Sequence, residues 1–243
     1  MEMPANVFVF DTPEQLAIAA AERFVQYGHE FHGELNAFSV ALAGGNTPRR
    51  VYELLATEGF KQRVEWARVH LFFGDERCVP PDHPDSNYAM VYEALISKVA
   101  VPAKNVHRIV GEGNPGESAT LYENELRTFF SGVTWPRFDL VLLGMGEDGH
   151  TASLFPRSDA LNERSKWVVT TKPESGGHDR VTLTVPVFNH AARVVFLVAG
   201  AAKAERLAQV LRPQYLPPLP AQGIHPVTGS LEWLVDSAAA SFL

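Results

Sequence analysis

The chain has 243 residues, of which 46% are hydrophobic, and its 21 basic and 28 acidic residues give a formal net charge of −7. This length and hydrophobicity suffice for one large α/β domain with a full core. The acidic balance argues against nucleic acid or an anionic membrane as a partner, so an anionic ligand would need a local cluster of positive groups. The single cysteine, Cys78, excludes an intramolecular disulfide framework.

The sequence carries no targeting or membrane signal that we recognise. Residues 1–10 contain neither a basic segment nor a long apolar core. No apolar run approaches the roughly 18 residues that a membrane span needs. We therefore expect a soluble cytoplasmic protein.

Apolar runs of strand length recur along the chain and alternate with helical patterns. Strands are predicted at residues 7–10, 38–42, 69–73, 105–110, 138–143, 167–171, 180–185 and 193–199. Helices are predicted from Pro13 to about Gly28 or Gly33, from Pro48 to Leu55, at 87–99, 117–130, 200–211 and 231–240, with a short turn or helix from Pro186 and a proline-rich connection from Pro213 to Pro220. This alternation predicts a mainly parallel sheet covered by helices on both faces. We find no repeat or linker and expect a single domain over residues 1–243.

Residues 144–149 spell G-x-G-x-x-G after a strand, which is the pattern of a dinucleotide site. That motif must open a helix and be followed by an acidic residue at the end of the next strand. Here Pro156 would stop the helix within about two turns. Glu163 precedes the next apolar strand instead of ending it. We therefore reject a dinucleotide site.

The same loop follows the most apolar predicted strand and carries the sharpest catalytic candidate. Gly144, Gly146 and Gly149 predict a tight turn, and Asp148 and His150 emerge from it. Ligands of open α/β sheets bind at the carboxyl ends of strands. Histidine is the commonest general acid–base group, so we predict that His150 is catalytic. Asp148 either orients the imidazole or caps the local turn.

A second glycine-containing loop joins the strand at 38–42 to the following helix. Glycines let backbone N–H groups approach a ligand closely, and a helix N-terminus favours an anion. A plain strand–helix turn is the alternative. We favour a site for a phosphate or a sugar hydroxyl, formed by Gly44, Gly45, Asn46 and Thr47.

Charged residues follow two further predicted strands. Asp75 and Arg77 leave the strand at 69–73, and the planar guanidinium of arginine suits phosphate. Lys203 lies in the first turn of a predicted helix, where a cation gains nothing from the helix dipole but could face a bound anion. The alternatives are a local Asp–Arg surface pair and a solvated lysine.

Several reaction classes lack their sequence signatures here. The chain contains no G-x-S-x-G, no G-x-x-x-x-G-K-[ST] and no H-E-x-x-H. The other eight histidines are scattered without metal-ligand spacing, and Cys78 has little support as a nucleophile. We therefore predict a water activated by His150, with neither a metal nor another cofactor.

Taken together, these blocks resemble the 6-phosphogluconolactonases, within the superfamily of glucosamine- and galactosamine-6-phosphate isomerases. The matching segments are ALAGGNTP (41–48), FFGDERCVPPDHPDSNY (72–88), GMGEDGHTASLFP (144–156), RVTLT (180–184), VAGAAKA (198–204) and LPAQGIHP with WLVDSAAA (219–240). Asn46 stands where the family often has Ser. The resemblance implies a Rossmann-like three-layer α/β/α sandwich with a mainly parallel sheet. It also implies metal-independent hydrolysis of 6-phospho-D-glucono-1,5-lactone to 6-phospho-D-gluconate in the oxidative pentose phosphate pathway.

With this resemblance, the candidate residues take definite roles. Arg77, Lys203, Arg180 and the Gly44–Gly45 loop are expected to hold the 6-phosphate of the sugar. His150 is expected to activate water, and Asp75 to position the substrate or orient the catalytic network. The expected partner is thus a small sugar phosphate, bound by a monomer or a small homo-oligomer.

Two other functions are alternatives. Glucosamine-6-phosphate deaminases have a similar loop, GHIAFNEP, with a catalytic glutamate before its final proline. This chain reads GHTASLFP, so Phe155, which cannot transfer a proton, occupies that position. The second alternative is a non-catalytic sugar-phosphate sensor, although no appended helix-turn-helix is recognisable.

Overall fold

The structure is a computed structural model that describes residues 6–30, 37–174, 176–212 and 217–243. Within them the strands are β1 (Val7–Phe10), β2 (Phe38–Leu42), β3 (Val69–Phe73), β4 (Asp75–Arg77), β5 (Val106–His107), β6 (Leu140–Leu143), β7 (Val168–Thr171), β8 (Arg180–Leu183), β9 (Arg193–Val198) and β10 (Ser230–Asp236). The helices are α1 (Pro13–Glu30), α2 (Asn46–Leu55), α3 (Glu58–Lys61), α4 (Asn87–Ala94), α5 (Pro115–Phe129), α6 (Val185–Asn189) and α7 (Ala204–Val210). None of these helices is both long and apolar enough to cross a membrane.

The core of the fold is a seven-stranded sheet in the order β1-β10-β9-β6-β2-β3-β5. All of its neighbouring strands run parallel. Every residue of β2 and β6 is buried, as expected for central strands covered on both faces. This confirms the predicted α/β fold with a mainly parallel sheet flanked by helices.

The order of the strands shows where a ligand should bind. From β2 the chain moves outward to β3 and β5, then returns to the other side of β2 with β6 and β9. The connections therefore diverge between β2 and β6. Such a switch point leaves a crevice at the carboxyl ends of the two strands, where open α/β sheets bind ligands.

A second, three-stranded antiparallel sheet in the order β4-β8-β7 was not predicted. The strands predicted at 167–171 and 180–185 are present as β7 and β8, but they pair with each other and with β4. Gly74 joins the sheets, since its N–H donates to the carbonyl of Leu42 and its carbonyl accepts from Leu183 N–H. The small sheet places Arg77 directly opposite Arg180.

The closing helix predicted at 231–240 is wrong, because this segment contains β10, which pairs with both β1 and β9. Residues 233–236 are all buried, and Trp233 stacks on Phe196 with ring centroids 3.9 Å apart. A short continuous apolar run fits a buried strand and a buried helix equally well, so its pattern alone could not distinguish them.

The remaining boundaries differ by a few residues. The helix predicted to reach about residue 99 ends at Ala94, and the strand predicted at 105–110 is reduced to β5. The helix predicted from residue 200 begins as a 3₁₀ turn at Ala201–Lys203 before α7. Gly33, one predicted end of the first helix, and Pro213, the predicted start of the proline-rich connection, lie outside the described residues.

Candidate active site

A cavity of about 450 Å³ opens at the switch point, beyond the carboxyl ends of β2, β6 and β9. Its lining includes most of the predicted site residues, namely Gly44, Gly45, Asn46, Thr47, Asp75, Arg77, His150 and Lys203. The other two, Asp148 and Arg180, are not part of the lining. Each contacts the site through a neighbour, Asp148 through His150 and Arg180 through the strand that carries Arg77.

His150 and Asp148 form a pair at the edge of this cavity. The Nδ1 atom of His150 lies 2.6 Å from Oδ1 of Asp148, and the same oxygen accepts the backbone N–H of His150 at 3.1 Å. Partial burial raises the pKa of Asp148, but the hydrogen bonds from His150 outweigh it and lower that pKa to about 2. The carboxylate is therefore ionised at neutral pH and acts as an acceptor, which leaves Nε2 of His150 for a ligand.

Two of the three loop glycines, Gly146 and Gly149, are required by this geometry. A Cβ atom at Gly146 would lie 2.2 Å from Nδ1 of His150, and Gly149 has a φ of +84°. The N–H of Gly146 donates to the carbonyl of His150 at 2.8 Å. The loop also does not open a helix, since residues 144–158 form turns and one β-bridge. The rejection of a dinucleotide motif is consistent with this course.

Phe155 packs against the catalytic candidate. The centroids of its ring and of the His150 imidazole lie 4.9 Å apart. Phe155 is the position at which the deaminase loop carries glutamate. An apolar ring in contact with His150 supplies no second proton-transfer group at this side of the imidazole.

Asp75 is held in a buried hydrogen-bond network. Its side chain accepts from the Ser153 hydroxyl at 2.6 Å and from the Asn87 amide at 3.3 Å, and its backbone carbonyl accepts from the same amide at 2.9 Å. A Cβ atom at Gly44 would lie 2.0 Å from Oδ1 of Asn87, so this glycine makes room for the network. Asp75 is thereby fixed at the wall of the cavity.

Sequence reasoning missed both partners of Asp75. Asn87 begins the helix predicted at 87–99, but the residue that caps α4 is Ser86, whose hydroxyl accepts from Ala89 N–H at 3.1 Å. The Asn87 side chain is therefore turned toward Asp75. No role was predicted for Ser153. Its burial beside Asp75 depends on the bridge between Thr151 and Leu154, which the sequence does not reveal.

Arg77 and Arg180 bring two positive charges together beside the cavity. They face each other across β4 and β8. Burial is the largest influence lowering the pKa of Arg180, and the charge of Arg77 adds to it. Within the described residues neither guanidinium has a carboxylate within 4 Å; Arg77 donates to the carbonyl of Asp85, and Arg180 to that of His178. Like charges in direct opposition are unfavourable, so an anion between them would stabilise the pair.

The start of α2 and Lys203 complete the positive side of the cavity. Gly45, at φ +96°, precedes α2, and no side chain caps the helix. The N–H groups of Asn46 and Thr47 are therefore available where the helix dipole favours an anion. The ammonium of Lys203 lies 3.9 Å from the carboxylate of Glu147, a distance that leaves it free to meet a ligand.

A parallel α/β sheet with a histidine–aspartate pair and positive side chains around a cavity at one edge defines a Rossmann-like protein. Residues 11–233 match the model of the family described as glucosamine-6-phosphate isomerases/6-phosphogluconolactonase. The chain belongs to this family.

Its relatives span nearly the whole chain. A protein of Nostoc sp. (strain PCC 7120) named 6-phosphogluconolactonase is 44% identical over 210 residues, which are 85% of each chain. A 6-phosphogluconolactonase of Haemophilus influenzae is 35% identical and covers 98% of this chain and 100% of its own. The solved structure of a 6-phosphogluconolactonase from Trypanosoma brucei superposes with a TM-score of 0.88 at 30% identity, over 100% of both chains.

Proposed function

We propose that the protein hydrolyses 6-phospho-D-glucono-1,5-lactone to 6-phospho-D-gluconate, as an enzyme of the oxidative pentose phosphate pathway. The relatives named for this activity support the assignment. The single observation that carries it is that His150 lines the same cavity as Arg77 and Lys203. A general base and a positive rim are thus within one ligand's reach.

The 6-phosphate binds on the positive side of the cavity. Arg77 and Arg180 offer two guanidinium groups, and the anion relieves the repulsion between them. Lys203 adds a third charge, and the N–H groups after Gly45 add donors at the start of α2. Anchoring the phosphate in this way uses binding energy remote from the reacting carbonyl to hold the lactone in place.

Hydrolysis follows from the free nitrogen of His150. Nε2 takes a proton from water as the water oxygen bonds to the lactone carbonyl carbon. When the ring C–O bond breaks, the proton passes to the departing ring oxygen and gives a free hydroxyl. The carboxylic acid that forms keeps the second proton of the water and releases it to solvent, which leaves the carboxylate of the product. Asp148 holds the imidazole through Nδ1 and stabilises its protonated form. Asp75, fixed by Ser153 and Asn87, positions the substrate.

The decisive experiment is a coupled assay on freshly made 6-phosphogluconolactone, corrected for its spontaneous opening. We expect enzyme-dependent opening of this lactone and much weaker activity on unphosphorylated gluconolactone. A second arm supplies glucosamine-6-phosphate and measures ammonia, because a deaminase would release it. Ammonia without lactone opening would contradict the proposal, and binding of sugar phosphates without either reaction would indicate a sensor.

The phosphate site is tested by charge removal at the rim. Arg77→Ala removes a charge-assisted contact of about 1.5–3 kcal/mol, so kcat/KM for the phosphorylated lactone should fall by about 10- to 100-fold. Activity on unphosphorylated gluconolactone should not fall. The matched control is Arg63→Ala, whose guanidinium pairs with Glu22 on the surface. An equal loss on both lactones would contradict a phosphate role for Arg77.

The predictions of one domain over residues 1–243, of a cytoplasmic location and of a monomer or small homo-oligomer stay proposals. In support of one domain, β1 and β10, from opposite ends of the chain, are neighbours in one sheet. A single cooperative unfolding transition would agree with it. Sedimentation of the purified protein would measure the oligomeric state.

A further inference from the structure

Three potential metal ligands meet beside the arginine pair. Among the described residues, His83, Asp85 and His178 are the one group of three whose ligand atoms all lie within 4.8 Å of one another. The two histidines lack metal-ligand spacing in the sequence, because they are far apart in the chain. The fold brings together their loops, which precede α4 and β8.

The distances suit a small divalent transition-metal ion. Nε2 of His178 lies 3.3 Å from Oδ2 of Asp85. Nδ1 of His83 lies 3.9 Å from the same oxygen and accepts the backbone N–H of Asp85 at 3.1 Å, a hydrogen bond that a metal at this nitrogen would replace. Ligand bonds of about 2.0 Å in tetrahedral geometry place ligand atoms about 3.3 Å apart. Of the three pairs of ligand atoms, one already has this separation, a second would close by about 0.6 Å, and the two histidine nitrogens lie within 4.8 Å of each other. Two imidazoles and one carboxylate are a donor set that zinc accepts, with a fourth position for water.

The ligand residues are connected to the proposed phosphate site. Asp85 supplies the carbonyl that accepts from Arg77, and His178 supplies the carbonyl that accepts from Arg180. A metal bound by both side chains would therefore tie together the two loops that hold the guanidinium groups. The nearby arginine charges oppose a cation, so its affinity should be lower than that of a closed structural zinc site.

We propose that His83, Asp85 and His178 form a binding site for a divalent transition metal such as Zn²⁺, which links the loop before α4 to the loop before β8. The site is separate from the lining of the cavity that contains His150. It does not depend on the reaction assigned above, and its metal takes no part in that reaction.

The test is calorimetric titration of the purified full chain with Zn²⁺ alone. We expect one site in the wild type and binding at least about tenfold weaker in His83→Ala, Asp85→Asn and His178→Ala, because each loses a ligand. The matched control, His225→Ala, removes another exposed histidine and should bind as the wild type does. Unchanged melting temperatures without metal would show that the variants are folded.

The ligands can also be identified directly. X-ray absorption of the zinc-loaded protein should show two imidazole nitrogens at about 2.0–2.1 Å from the metal. Zinc should raise the melting temperature of the wild type but not that of the His83→Ala/His178→Ala double variant. Wild-type affinity in the double variant, or binding abolished by His150→Gln but retained in His178→Ala, would overturn the proposal. Lactone hydrolysis is measured separately in the metal-free protein. Its result tests the proposed function, whereas the zinc titration tests only the metal site.

Discussion

The described residues include two histidine–carboxylate pairs with the same N–O distance. Nδ1 of His107 lies 2.6 Å from Oε1 of Glu125, and Nδ1 of His150 lies 2.6 Å from Oδ1 of Asp148. They differ at the second ring nitrogen. Nε2 of His107 lies 3.0 Å from Nδ1 of His70, whereas Nε2 of His150 has no hydrogen-bond partner among the described residues.

The two histidines also differ in their exposure to solvent. The His107 side chain is 11% exposed and its ring stacks on Phe72 with centroids 4.1 Å apart, so both of its nitrogens and one of its faces are occupied by the protein. The His150 side chain is 32% exposed and lines the cavity. A carboxylate partner therefore does not by itself make a histidine catalytic. In the proposed mechanism, His150 is distinguished by an Nε2 that the protein leaves open beside the cavity.

The largest effect is expected from removing the open nitrogen. In His150→Gln no group remains to take the proton of the attacking water, so kcat should fall by about 10²–10⁴-fold. KM should change little, because the proposed phosphate contacts are intact. Corrected initial rates on fresh 6-phosphogluconolactone measure both. An unchanged kcat would remove His150 from the mechanism.

The opposite result, a loss of stability without a loss of activity, is expected from replacing His107. His107→Ala leaves a cavity beside Phe72 and removes the partner of both Glu125 and His70. We expect the free energy of unfolding to fall by about 2–3 kcal/mol, with kcat nearly unchanged. Chemical denaturation of this variant and of His150→Gln compares the two pairs. If His107→Ala lost activity without losing stability, the division of roles would be wrong.

The sequence was sufficient to locate His150 because it lies in a glycine loop after a fully apolar strand. The order of strands could not be read in the same way. The apolar run of β10 has no period that separates strand from helix, and its identity is decided by pairing with β1 and β9, far away in the chain. Similarly, β7 and β8 have ordinary strand patterns, and only the turn at Gly74 directs them to a separate sheet.

The site was predictable to the extent that its residues adjoin strand ends. Arg77 and Lys203 were located in this way, and the importance of Arg180 came from the resemblance. Asn87 and Ser153 were missed because their roles depend on long-range contacts with Asp75. Asn87 lies at the start of the helix predicted at 87–99, in the segment that follows the charged residue Asp75. This position is the signal that could have pointed to Asn87.

A smaller effect is expected from changing Asp148, the carboxylate partner of His150. Asp148→Asn keeps an acceptor for Nδ1–H but removes the charge that stabilises protonated imidazole, a contact of about 1.5–3 kcal/mol. We expect kcat to fall by about 10- to 100-fold. The matched variant Glu125→Gln changes the enclosed pair in the same way and should retain wild-type kcat. Equal activity of the two variants would show that Asp148 only caps the turn.

The smallest effect concerns the pH dependence of stability, and it arises from His70, the neighbour of His107. Burial, then the charges of His107 and Lys104, lowers the pKa of His70 from 6.5 to about 4. Between these values the unfolded chain binds more protons than the folded one, so the free energy of unfolding falls as the pH decreases from 6.5 to 4. Allowing for the partial exposure of His70, we expect a loss of about 1–2 kcal/mol from this group.

Denaturation of the wild type and of His70→Gln at intervals between pH 7 and pH 4 measures this contribution. The variant cannot be protonated at this position, so the stability difference between the two proteins should shift in favour of the variant as the pH falls. His29→Gln, at an exposed histidine near the end of α1, is the matched control and should follow the wild type. A stability difference that stays constant from pH 7 to pH 4 would mean that His70 is not kept neutral by its surroundings. The His70 and His107 rings would then be more accessible to solvent than the contacts of His70 with Phe129 and of His107 with Phe72 imply.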